Sequence, residues 1–95
     1  MEKYMVDLKG MCYHEGKQHA KEWKFKFYKF NIFDTLVSAC DFIDNFVREF
    51  PDSYRSILPN RVKRFNYFYS FTIYRIVENG ITEVNHDTFI MEVTR

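Results

Sequence analysis

From Trp23 to Tyr28 the chain alternates rings with lysines. Trp23, Phe25 and Phe27 take one parity; Lys24, Lys26 and Tyr28 take the other. A period of two belongs to an extended strand, whose successive side chains point to opposite faces. A second dense run, Phe65-Asn66-Tyr67-Phe68-Tyr69-Ser70-Phe71, lies forty residues on. Aromatic residues make up 20% of the 95 residues, so rings must decide the core, because each buries more area than most other side chains. Rings are also the usual platforms for stacked bases and the usual anchors of protein interfaces. The parity of each ring therefore matters more than the total.

The length fits one domain, residues 1–95, large enough for a core without metals or disulfides. Apolar residues at 46% and charged residues at 28% exclude a disordered chain. Three Gly and two Pro leave no material for a linker or a phosphate-cradling loop. No apolar run reaches the length of a membrane span, and Met1 to Asp7 holds no signal-peptide core, so a cytoplasmic protein is expected. Cys12 and Cys40 are too few for a disulfide framework and are expected as reduced thiols.

The net charge of +1 conceals segregation. Lys17 to Lys29 carries five Lys against Glu22, and Arg55 to Arg64 carries no acid. Asp34 to Asp52 is acidic apart from Arg48, and Glu78 to Glu92 is acidic throughout. Such a bipolar surface suits self-association or a charged partner.

Residues 3–14 and 20–30 read as a hairpin closed at Glu15-Gly16-Lys17-Gln18, with Leu8 opposite Phe25, Val6 opposite Phe27, Gly10 opposite Trp23 and Asp7 opposite Lys26. A helix is expected over 32–50, capped by Asn31 and ended by Pro51. Its apolar arc is wider than one sheet covers, so Phe42 and Phe46 are expected against the 52–60 segment or another copy of the chain. Residues 52–61 read as irregular. A second hairpin, 62–78 and 81–94, centres on Asn79-Gly80. Phe65, Tyr67, Tyr69, Phe71 and Ile73 share one face, and a bulge between Asn85 and Thr88 is needed to bring Phe89, Met91 and Val93 onto it. The fold class is α+β: two β-hairpins flanking one central helix (ββαββ), in a four-stranded, mainly antiparallel sheet with the helix on one face.

Catalytic chemistry has little support. No nucleophile elbow, Ser-His-Asp order or paired carboxylates of readable spacing occur, so no enzyme, metal or cofactor is expected. Cys12, His14 and His19 have the wrong spacing for a helical metal site. Asp44 falls inside the helix's apolar arc and is expected to pair with a cation at its edge.

The expected function is non-catalytic protein binding, of adaptor or inhibitor type, by a homodimer. The partner-binding residues are Tyr28, Lys24, Lys26, Phe68, Tyr74 and Arg75, with Phe42 and Phe46 as an oligomer contact. The alternative is a single-stranded nucleic acid or nucleotide held by Lys24, Lys26, Lys29, Arg61, Lys63 and Arg64 beside aromatic rings. An enzyme ranks below both.

Overall fold

A computed structural model describes residues 2–14, 23–55 and 62–94. Its elements are β1 (Lys3–His14), β2 (Trp23–Phe33), α1 (Leu36–Arg55), β3 (Arg64–Val77) and β4 (Gly80–Thr94). The strands form one antiparallel sheet in the order β2-β1-β3-β4. This is the α+β, ββαββ arrangement. β1 and β3 are central, and β2 and β4 are the edges. β2 and β3 run the same way, since each is antiparallel to β1. The chain must therefore return between them, and α1 does so.

The first hairpin is slipped by four residues from the expected register. Leu8 pairs with Lys29, Gly10 with Phe27 and Cys12 with Phe25, in place of Leu8–Phe25 and Gly10–Trp23. An even slip leaves every residue on its face, so Val6, Leu8, Phe25 and Phe27 stay on the helix side. Gly10 explains the choice. A Cβ there would lie 2.3 Å from Phe27 Cζ and 2.2 Å from the Phe68 carbonyl oxygen. Only a bare Cα lets the ring lie across β1, a cross-strand aromatic–glycine pairing. The expected turn at Gly16-Lys17 lies outside the described residues.

The helix also differs from expectation. Asn31, Ile32 and Phe33 continue β2, paired with Val6, Met5 and Tyr4. The cap is Thr35, whose hydroxyl accepts from the Ser38 amide at 3.1 Å while its carbonyl accepts from the Ala39 amide at 3.2 Å. Pro51 does not end α1, which runs to Arg55. The missing amide costs one helical hydrogen bond. Phe50, only 2% exposed, anchors the preceding turn against Phe27 (centroids 4.4 Å apart) and Tyr67 (5.0 Å).

In the second hairpin Val77 pairs with Gly80, so the turn centres on Glu78-Asn79, one residue earlier than expected. Gly80 has φ 159°, extended backbone. The bulge exists, but not between Asn85 and Thr88. That ladder is unbroken, and the register shifts between Ile73 and Tyr74, leaving Val84 as the extra residue. Its consequence is the expected one: Phe89, Met91 and Val93 face the core side opposite Tyr69, Tyr67 and Phe65.

Val6, Leu8, Cys12, Phe27, Phe65, Tyr67, Tyr69, Phe71 and Ile73 of the sheet bury against Ala39, Ile43 and Phe50 of α1, with Val62 beside them. The Val, Leu, Ile and Phe side chains among them each contribute about 1.5–3 kcal/mol on removal from water. Phe42 and Phe46 are half-buried within the chain, packed on Phe33 (5.2 Å) and Phe27 (5.5 Å). Rings of β2 thus supply much of the shielding expected from residues 52–60 or another copy. The helix cannot cover the whole sheet. Its twenty residues span about 30 Å and the fifteen of β4 about 50 Å at standard rises. α1 lies over β1 and β2, leaving β4 exposed along nearly its whole length. Among the described residues, no helix is long and apolar enough to cross a membrane.

Candidate functional site

The face of the sheet away from α1 has no element over it among the described residues. Pairing builds it row by row. Lys24, Tyr13, Asn66 and Glu92 form one row, and Lys26, Met11, Phe68 and Ile90 the next. Tyr28, Lys9, Ser70 and Thr88 follow, then Phe30, Asp7, Thr72 and His86, then Ile32, Met5, Tyr74 and Glu83. The side chains are those left over when the opposite parity fills the core. Several are large, apolar and open to solvent, Tyr28 at 60% and Ile90 at 68% among them.

A cleft of about 530 Å³ opens near the middle, lined by Met11, Phe68, Tyr28, Lys9, Lys26 and Ser70 together with Gly10 and Phe27. Its volume falls in the range of ligand and side-chain pockets. Beside it, Asp7 Oδ1 is buried and has no hydrogen-bond partner among the described residues. A buried acceptor in that state costs about 1–3 kcal/mol, more when charged. The Tyr28 hydroxyl is pushed above its ordinary pKa of 10.0 by partial loss of hydration, then by the nearby negative charge of Asp7. It therefore remains a protonated donor at neutral pH. At the β4 edge the Thr72 hydroxyl is hydrogen-bonded to His86 Nδ1 at 2.9 Å.

Five of the six expected partner-binding residues share this face: Lys24, Lys26, Tyr28, Phe68 and Tyr74. Arg75 does not; it pairs with Tyr4 and Thr82 on the helix side, where it is exposed. The expected nucleic-acid set is divided. Lys24, Lys26 and Arg64 belong to the open face, Lys29 pairs with Leu8 on the other, Lys63 is exposed just before β3, and Arg61 lies outside the described residues. Asp7 and Glu92 interrupt what is left of a phosphate track. Lys9, Met11 and Ser70 were missed as site residues. Alternation assigns them outward, but their place at the centre follows from β1 and β3 being inner strands.

The remaining candidates sit elsewhere. Asp44 is exposed, lining a shallow groove with Arg48, Tyr69 and Phe89. Cys12 is buried in the core, and His14 Nδ1 donates to the Arg64 carbonyl at 3.0 Å. His19 lies outside the described residues. The sequence matches no family model and no curated protein, and the structure matches no solved structure.

Proposed function

We propose that this chain is a non-catalytic binding protein that holds a protein partner on the open face of its sheet, in the cytoplasm, where Cys12 and Cys40 are free thiols. The observation that carries the reading is the apolar cleft flanked by Lys9 and Lys26 next to the unpartnered Asp7 Oδ1. A partner fits that places an apolar side chain in the cleft, carboxylates near the lysines and a donor on Asp7. The face is large enough. Four strands about 4.8 Å apart and some ten residues long present roughly 700 Å², close to the ~800 Å² per partner of a standard interface.

The test is affinity capture from the native host with the wild type and with a Lys26→Glu/Phe68→Ser double variant. The reading expects a protein retained by the wild type and lost by the variant at equal thermal stability. A variant that retains the same protein contradicts it. So does a wild type that retains only single-stranded oligonucleotides in a salt-dependent way, the behaviour of a phosphate-binding face.

A further inference from the structure

The two edges of the sheet carry opposite charge. β4 holds Glu83, Asp87 and Glu92 and no lysine or arginine; β2 holds Lys24, Lys26 and Lys29 and no acid. Both are edge strands, each with a row of backbone groups facing away from the sheet. They also run in opposite directions, since four strands alternate antiparallel from β2 to β4. A copy set beside β4 through its own β2 therefore continues the alternation without turning over.

We infer that β4 of one copy pairs antiparallel with β2 of a second copy, joining chains head to tail into a continuous sheet. The fold supplies the register. Within one chain Lys24, Tyr13, Asn66 and Glu92 already lie in a single row, as do Lys29, Leu8, Phe71 and Asp87. Extending those rows straight across the junction sets Glu92 opposite Lys24 of the second copy on the open face. It sets Asp87 opposite Lys29 of the second copy on the helix side. Both ion pairs arise from one register with no shear.

The same register pairs apolar surface. Phe89 and Met91 are exposed on the helix side of β4. In the joined sheet Phe89 comes opposite Phe27 of the second copy, whose ring carries Phe46 at 5.5 Å. Met91 comes opposite Phe25 of the second copy. Phe46 is half-exposed on its own chain, so the junction covers partly open rings from both sides. Like-edge pairing has no such match. Two β4 strands bring acids together, and two β2 strands bring lysines together. A junction between unlike surfaces is heterologous and leaves a free β4 at one end and a free β2 at the other. Sheet twist rotates each added copy by roughly a quarter turn, so growth is open-ended.

Sedimentation velocity of the full chain tests this with two charge-reversed variants, Asp87→Lys/Glu92→Lys and Lys24→Glu/Lys29→Glu. The wild type is expected to gain mass with concentration and to lose it with added salt, which screens exposed pairs. Each variant alone should need at least tenfold more protein to associate, and an equimolar mixture should recover wild-type behaviour. Three results overturn the inference: a wild type that stays monomeric at low salt and high concentration, a Lys24→Glu/Lys29→Glu variant that associates like the wild type (β4 pairing with β4), or a mixture no better than its components. Hydrogen exchange on the wild type gives a reading without substitutions. Amides of β4 and β2 should gain protection together as concentration rises, and unchanged exchange in both contradicts the junction. The four substituted residues, Lys24, Lys29, Asp87 and Glu92, do not line the cleft, so failure here leaves the partner-binding reading standing, and the converse holds.

Discussion

The Phe27 ring lies over Gly10 on the neighbouring strand, where a Cβ would come within 2.3 Å of its Cζ. This contact sets the register of the first hairpin. It also admits Phe27 to the aromatic chain that runs through Phe50, Tyr67, Tyr69 and Phe89.

Gly10→Ala should therefore destabilise the protein by about 3 kcal/mol, the upper range of core overpacking. The Phe68 carbonyl oxygen, 2.2 Å from the added Cβ, is backbone and cannot swing away. Urea unfolding measures it. A midpoint equal to that of the wild type would contradict the register argument.

Two phenylalanines should separate folding from function. Phe50 is almost fully buried between Phe27 and Tyr67, whereas Phe30 stands half-exposed on the open face. Phe50→Ala should cost about 3–5 kcal/mol, and Phe30→Ser less than about 1 kcal/mol, as expected of a surface position. Comparable losses in thermal or urea unfolding would refute the division of faces.

The helix start gives a sharper local test. Thr35→Ala removes the hydroxyl that accepts from the Ser38 amide and should cost about 1 kcal/mol. Asn31→Ala leaves that cap intact, because Asn31 belongs to β2. A larger loss at Asn31 than at Thr35, read by urea unfolding, would place the helix start where sequence spacing alone puts it.

Burial pushes the Cys12 thiol from an ordinary 9.0 up to about 11. The folded state holds the thiol neutral, so this contribution to stability is fully present below pH 9 and is lost as pH rises towards 11. Two pH units correspond to roughly 3 kcal/mol. Native protein at pH 8 should show slow modification of Cys12 by a thiol reagent, faster modification of the half-buried Cys40, and rapid reaction of both in denaturant. Equal native rates would contradict the burial of Cys12.

Much of the fold was legible because alternation fixes parity, and parity survives errors of register. The four-residue slip of the first hairpin and the displaced second turn moved no ring to the wrong face. The need for a bulge was legible from Phe89, Met91 and Val93; its position at Val84 was not, since any extra residue before Phe89 restores the pattern. Pro51 misled because a local penalty was weighed without the tertiary anchor of Phe50 beside it. Asn31 misled because a residue able to cap a helix can equally extend a strand. The site was only half legible. Tyr28, Lys26 and Phe68 follow from parity, but their meeting with Lys9, Met11 and Ser70 around one cleft depends on strand order, which no local pattern encodes. Arg75 shares the parity of Ile73 on an unbroken β3, so alternation alone already puts it on the helix side, away from the open-face residues it was grouped with.

The central claim is that a protein partner docks on the face opposite α1. Methyl cross-saturation from an unlabelled captured partner to the labelled chain tests it most directly, because exposed methyls mark both sides. The account predicts transfer to Met5, Met11, Ile32 and Ile90 on the open face, with Met91 and Val37 unaffected. Transfer to Met91 and Val37 with the open-face methyls silent would contradict it.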